Sequence, residues 1–312
     1  MKKFVSNIIF FLLFSALFYV VALFAWGTLV PKIFRSNLDY RKGSSGHLFS
    51  RLSEAKKTKK VDILFLGSSH TYRGFDSRFF LKNNYSSFNL GSSSQTPIQT
   101  EILLKRYLNQ LNPSLIIYEV YPEIFTLDGV ESSLDLIAND NNDIYTYQMA
   151  YELNHIKTYN TLLYSFLSDI ILSKSFNEPI SKDGDAYIKG GYVEREISFN
   201  KPTSIKRKKI EFNNSQIKIF STLIDSFKSK NIDFILVYAP ISKLHYKSYE
   251  NGAEYDKMMR SFGEYYNFNE MLNLSDSLHF FDSNHLNQKG VDIFNQKLLE
   301  IINKRTIKKA PN

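Results

Sequence analysis

The tetrapeptide Gly67-Ser68-Ser69-His70 follows directly on an apolar run, residues 61–66, and leads into a helix-like stretch. A serine at such a strand-to-helix turn is presented at the strand end, and the first amides of the helix can stabilise an oxyanion. Gly and Ser are also ordinary turn and capping residues, so this turn alone is equally a helix N-cap. Far along the chain stands Asp282-Ser283-Asn284-His285-Leu286-Asn287, just before the last helix-like stretch. An Asp three residues ahead of a His in a loop can bring its carboxylate to Nδ1, which leaves Nε2 to take a proton from a serine. The chain has 6 His, so one in this setting is informative, although a capping or core histidine is the structural alternative. These residue types do not decide whether Ser68 or Ser69 is the nucleophile. His70 either contacts a substrate or packs beside the site. Arg73 lies one helical turn beyond Ser69 and either meets an anionic substrate group or is an exposed structural arginine.

Short apolar runs that alternate with helix-like stretches must position these groups. Residues 61–66, 87–90, 115–120, 233–238 and 278–281 read as strands. Helices are expected at 98–108 and 291–302, and Ile217, Phe220, Ile224 and Phe227 mark one face of an amphipathic helix between them. The alternation predicts an α/β fold: a doubly wound, flavodoxin-like, mostly parallel sheet of about five strands with helices on both faces. Such sheets carry their sites at the carboxyl ends of the strands. Residues 125–205 fit the alternation poorly and read as a helical insertion plus a loop over the strand ends. The run Asn139-Asp140-Asn141-Asn142-Asp143 lacks the spacing, glycine and terminal glutamate of a calcium loop and reads as an ordinary polar loop.

Met1-Lys2-Lys3 is followed by residues 8–30, an uncharged, almost unbroken apolar stretch. It is long enough for a hydrocarbon core, which takes about 20 residues, and it ends in bulky Leu29-Val30 rather than at a small-x-small cleavage site. It reads as an uncleaved anchor, with Lys2 and Lys3 placing the N-terminus inside. The expected organisation is therefore an N-terminal anchor at 1–31, a juxtamembrane stalk and lead-in helix at 32–60, and a globular domain at 61–312 with its insertion at about 125–205.

The 312 residues include 43% apolar, 15% aromatic and 22% charged side chains, which excludes a disordered or collagen-like chain. With no cysteine, a disulfide scaffold, a cysteine nucleophile and thiolate metal sites are excluded. Lys plus Arg is 39 and Asp plus Glu 31, a formal charge of +8, with clusters at Lys206-Arg207-Lys208-Lys209 and at Lys304-Arg305 with Lys308-Lys309. No nucleic-acid motif accompanies them, so they read as a solvated face or as attraction to anionic lipid or glycan. The first turn also lacks G-x-G-x-x-G and the P-loop pattern, which argues against a nucleotide-binding fold.

Taken in order, these blocks resemble the SGNH/GDSL hydrolase superfamily. The resemblance makes Ser69 the nucleophile and matches the Asp-x-x-His block to Asp282 and His285. Asn89-Leu90-Gly91 is similar to the second block, so the amides of Ser69 and Gly91 are implied as the oxyanion hole. Gly-Ser-Ser on an anchored chain is similar to membrane-anchored SGNH proteins of the D-alanyl-lipoteichoic-acid and glycan O-acyl type. The third block departs from the family: Val120-Tyr121-Pro122-Glu123 holds no asparagine. The Tyr121 hydroxyl, Ser92, Ser93 or a residue of the insertion is the candidate substitute. Glu123 would place negative charge near an oxyanion unless it points away or meets a substrate hydroxyl or amine. His70, Arg73, Tyr121 and Glu123 are thus the candidate substrate contacts. The resemblance implies no metal and no cofactor. It implies an acylated glycan or envelope polymer as substrate, a membrane-bound acyltransferase as partner, no nucleic acid, and a single-pass protein of the bacterial inner membrane with its domain on the extracytoplasmic side. Two function classes follow: a serine esterase or O-acyltransferase, or a non-catalytic SGNH-like module that binds glycan or carrier, or scaffolds an envelope acylation system.

Overall fold

The computed structural model describes residues 1–44, 46–172 and 176–305. In chain order, α1 (Lys2–Leu29) precedes α2 (Leu48–Ala55), β1 (Ile63–Leu66), α3 (Ser69–Gly74), α4 (Ser77–Lys82) and β2 (Ser87–Asn89). Next come α5 (Pro97–Leu111), β3 (Leu115–Glu119), α6 (Val130–Asn139), α7 (Ile144–Leu153) and α8 (Ile156–Ile171). A small hairpin unit follows, made of β4 (Ser181–Lys182), β5 (Asp185–Ile188) and β6 (Tyr192–Arg195). The chain closes with α9 (Asn214–Ser229), β7 (Asp233–Tyr238), α10 (Lys243–Tyr246), α11 (Gly252–Phe262), β8 (Tyr265–Asn267), α12 (Phe268–Met271) and α13 (Gln288–Ile302).

The main sheet is parallel throughout, in the order β2-β1-β3-β7-β8. This is the doubly wound layout that the apolar runs predict, and β1 and β3 flank its switch point. Side chains alternate across the sheet because successive strand residues point to opposite faces. Leu64, Leu66, Ile116, Tyr118, Leu236 and Tyr238 pack on one side against Leu52 of α2, Leu103 of α5 and Phe220 of α9. Ile63, Phe65, Leu115, Ile117, Ile235 and Val237 pack on the other against Phe80 of α4 and Phe294 and Leu298 of α13. Both faces are covered, which is why the strands read as continuous apolar runs rather than alternating ones. Local signals set the helix starts. Ser68 caps α3 by accepting from the His70 amide, Asp76 caps α4, and Thr96 with Gln99 forms a capping box at α5 with Pro97 in its first turn.

Two expectations change. The fifth strand is β8, at Tyr265–Asn267, not residues 278–281. Only Phe280 of the expected strand is buried as an anchor, and it pairs as a lone bridge with Leu286. Here the chain turns back on itself, the Phe281 amide donating to the His285 carbonyl at 2.8 Å, so the run forms the base of a loop. In the insertion, α6–α8 are helical as expected, but the expected loop contains the antiparallel sheet β4-β5-β6. Its turn residues Gly190 and Gly191 take φ of +88° and +83°, which glycine adopts without strain. The Asn89 amide donates to the Gly190 carbonyl at 2.9 Å, so the hairpin docks on the edge of β2. Finally, the lead-in helix expected within residues 32–60 is present as α2, and it packs into the globular part. Leu48, Leu52 and Ala55 of α2 lie in the core. Fully buried Arg51 donates to the carbonyls of Gly46, Gly91 and Gly191 at 2.8, 2.8 and 2.9 Å, and stacks 4.4 Å over the Tyr72 ring.

Candidate active site

The strand end after β1 presents two adjacent serines in different environments. Gly67 has φ +135°, and a Cβ there would stand 2.5 Å from Thr71 Oγ1 and 2.7 Å from the Glu119 carbonyl. Glycine lets the chain turn sharply and lie against the end of β3. Ser68, 2% exposed, points inward. Its amide and its hydroxyl both donate to Glu119 Oε2, at 3.1 and 2.9 Å. Ser69 points outward, and its Oγ lies 2.8 Å from His285 Nε2. Ser68 Oγ also lies 3.0 Å from Nδ1 of the buried His70 ring, whereas Ser69 is the hydroxyl that faces the His285 imidazole.

The loop before α13 holds that imidazole by local bonds. Asp282 Oδ1 accepts the amides of Asn284 and His285, both at 2.7 Å, and the carboxylate meets His285 Nδ1 at 2.9 and 3.1 Å. Burial pushes Asp282 up, but the His285 ring and the two amides outweigh it and hold the carboxyl down at about 2. An ionised carboxylate on Nδ1 fixes the tautomer with Nε2 free to accept the Ser69 proton.

His70 stacks on His285, with ring centroids 4.9 Å apart, and its other side meets Tyr121 at 4.3 Å. Burial first, then the neighbouring His285, pushes His70 down to about 3. A neutral ring is thus packed against the imidazole that would become charged, which avoids like-charge repulsion.

The other expected contacts fall elsewhere. Arg73 is not free for an anionic substrate, because it makes a bidentate pair with Asp185 of β5 at 2.8 and 2.9 Å, and Arg195 joins the same carboxylate at 2.9 Å. The Gly91 amide is also engaged, donating to Asn89 Oδ1 at 2.9 Å. It reaches an oxyanion only if that bond opens. Ser69 opens α3, so its amide has no acceptor within the helix. The Ser92 hydroxyl donates to Gln95 Oε1 at 2.8 Å, and Ser93 Oγ is 3.0 Å from the Tyr72 hydroxyl. The Tyr121 hydroxyl lies 2.9 Å from that of Tyr249 and donates to Asn284 Oδ1 at 3.4 Å. Glu123 accepts from Tyr249 at 2.8 Å and pairs with Lys208, with His245 Nε2 at 3.4 Å. Burial pushes Glu123 up, but His245, Lys208 and Tyr249 together hold it well below the usual carboxylate range. Its charge is spent within this network.

Sequence reasoning missed Glu119, His245, Tyr249 and Lys208. Glu119 closes a run that reads simply as a buried strand. A buried acid at the end of such a strand is the one signal that could have raised it. Lys208 belongs to the basic cluster read as a solvated face, and its partner Glu123 is remote in sequence. In the second cluster Arg305 pairs with Asp233 at 2.5 Å and with Glu264, while Lys308 and Lys309 lie outside the described residues. The recess lined by His70, Arg73, Pro240 and His285 holds about 10 Å³ of free space, roughly one water.

No family model matches the chain, and no curated protein matches it. Among solved structures, the chain is similar to a candidate acylhydrolase from Bacteroides fragilis, with 13% identity, a TM-score of 0.40, and coverage of 81% of this chain and 94% of the other. It is likewise similar to a GDSL-like lipase from Bacteroides thetaiotaomicron, with 13% identity, a TM-score of 0.41, and coverage of 83% and 98%.

Proposed function

We propose that this chain is a membrane-anchored, extracytoplasmic serine enzyme of the SGNH type that cleaves or transfers an acyl ester on a cell-envelope or exported glycan. The observation that carries the reading is Ser69 Oγ at 2.8 Å from His285 Nε2, with Asp282 on the opposite nitrogen. Helix α1 supports the anchor, being 28 residues with a mean hydropathy of 2.8 across its most apolar window. Ser69 Oγ attacks the acyl carbonyl while His285 takes its proton. The alkoxide then leaves with that proton, and an acyl ester forms on Ser69. Water or a glycan hydroxyl enters next, gives its proton to His285 and takes the acyl group, and the proton returns to Ser69. The Ser69 amide is one oxyanion donor, and the Gly91 amide becomes a second when Asn89 releases it. A membrane-bound acyltransferase supplying the acyl group is the partner this reading implies.

The engaged Gly91 amide favours a second reading, a non-catalytic glycan- or carrier-binding module. Fluorophosphonate labelling of the full-length protein in detergent separates the two. An adduct on Ser69 that is lost in both Ser69→Ala and His285→Ala supports the enzyme. No adduct in folded protein refutes an autonomous esterase and supports the module.

A further inference from the structure

His70 is a histidine where packing alone would accept a plain aromatic ring. It is 5% exposed, and its Nε2 is shielded from solvent without a well-formed hydrogen bond. The backbone of Asn284, in the loop that carries His285, is a polar group the ring approaches. A buried polar atom left without a bond is a cost that phenylalanine in the same place would not incur. The other ring nitrogen shows what the imidazole gains. Nδ1 lies 3.0 Å from Ser68 Oγ, and Ser68 is tied in turn to fully buried Glu119. The ring is therefore held by its edge as well as by its faces.

One face of His70 stacks on His285, with centroids 4.9 Å apart and 21° between the planes, and the other meets Tyr121 at 4.3 Å. Tyr121 is fixed in its turn, its hydroxyl bonded to Tyr249 and Asn284. Consecutive helix residues point about 100° apart. With Ser69 turned outward at the start of α3, His70 turns beneath the site. There it meets a ring that needs support. His285 is bonded at Nε2 to Ser69 and at Nδ1 to Asp282, and bonds at opposite nitrogens define an axis about which the imidazole still tilts. The Asp282 and His285 side chains are 43% and 19% exposed, so this loop is bordered partly by water. A flat neighbour nearly parallel to the imidazole removes the tilt. Such freedom matters, because a ~1 Å misplacement of a reacting group costs about 10²-fold in rate.

We propose that His70 is a positioning residue for Ser69 and His285: its ring is the wall that sets the tilt of the His285 imidazole, with Ser68 holding its edge and Tyr121 backing its far face. The assignment rests on the reading of Ser69, His285 and Asp282 as a reacting set. Full-length protein in mild detergent tests it, as wild type, His70→Ala and His70→Phe, at a temperature where circular dichroism shows all three folded. The rate at which a fluorophosphonate labels Ser69 is expected to fall about 10²-fold in His70→Ala and to stay within about tenfold of wild type in His70→Phe, which has the ring face but not the bond to Ser68. With isotope-labelled histidine, the proton between His285 Nδ1 and Asp282 gives a downfield magnetic-resonance signal, assigned by its loss in His285→Ala. It is expected to disappear in His70→Ala and to return in His70→Phe. Labelling of His70→Ala within about threefold of wild type overturns the assignment, and so does a His70→Phe variant as slow as His70→Ala. A wild type that takes no label refutes the serine-enzyme reading, and the proton signal then decides alone. Its loss in His70→Ala with recovery in His70→Phe supports the wall, and an unchanged signal overturns it.

Discussion

Ser68 is bonded twice to Glu119: its amide and its hydroxyl both end on Glu119 Oε2, at 3.1 and 2.9 Å, while its Oγ lies 3.0 Å from His70 Nδ1. The carboxyl sits at the end of β3 and is 0% exposed. It pins the turn after β1 and commits Ser68 inward, so that the next residue, Ser69, faces His285. A positioning acid of this kind acts through backbone geometry and needs no contact with the reacting atoms.

Burial pushes Glu119 up to about 7, against the Ser68 and Thr71 hydrogen bonds that pull it down. The folded state therefore binds more protons than the unfolded state between the ordinary value of 4.5 and about 7. This contribution is fully present below about 4.5, is lost as pH rises through about 7 and is flat above that. It amounts to roughly 3 kcal/mol, at 1.36 kcal/mol per pKa unit. Glu119→Gln removes it. Urea midpoints between about pH 4 and 8 are expected to show a wild-type curve that falls towards neutrality more steeply than that of the variant. Parallel curves would mean that Glu119 is ionised throughout.

Asp282→Asn keeps the loop shape but turns an ionised acceptor at His285 Nδ1 into an amide. Loss of the favoured tautomer costs about 10⁴ in comparable triads. Fluorophosphonate labelling of Ser69 is expected to slow by at least 10³ while the melting temperature changes little. A labelling rate within tenfold of wild type would remove Asp282 from the mechanism.

Arg73 and Asp185 tie α3 to β5 by a largely buried bidentate pair, with the Arg73 and Arg195 charges holding Asp185 below its ordinary value against burial. Asp185→Asn leaves the guanidinium without its counter-charge, which costs about 3 kcal/mol. The urea midpoint is expected to drop accordingly, while the KM of the folded variant for anionic and neutral esters shifts equally. A selective gain for anionic esters would restore Arg73 to the substrate site.

Gly67→Ala puts a Cβ 2.5 Å from Thr71 Oγ1 at a backbone φ of +135°. Strain at such a φ costs of order 1–3 kcal/mol before any clash is counted. The variant is expected to be destabilised by about 3 kcal/mol or more in thermal melts, and to lose Ser69 labelling even at temperatures where it stays folded. Wild-type stability would mean that the turn relaxes freely.

Whatever depends on neighbours along the chain was readable from the residues alone. Four of the five strands of the main sheet, the helix start at Ser68 and the long apolar α1 follow from periodicity, caps and length. The pairing of Asp282 with His285 is local too, three residues apart within one loop, and so was legible. Which partner each exposed-looking group finds depends on contacts made across the fold. Ser69 meets His285 across 216 residues and Arg73 meets Asp185 across 112. At those separations no periodicity constrains the choice. Packing, burial and the geometry of the sheet decide it. The same holds for β8, three residues long and recognisable only because β7 offers it an edge. It holds for Gly91, whose amide is taken by Asn89, and for Arg51, a charged side chain that three backbone carbonyls from separate segments make tolerable in the core. Local signals set the elements, and long-range contacts decided how their side chains are used.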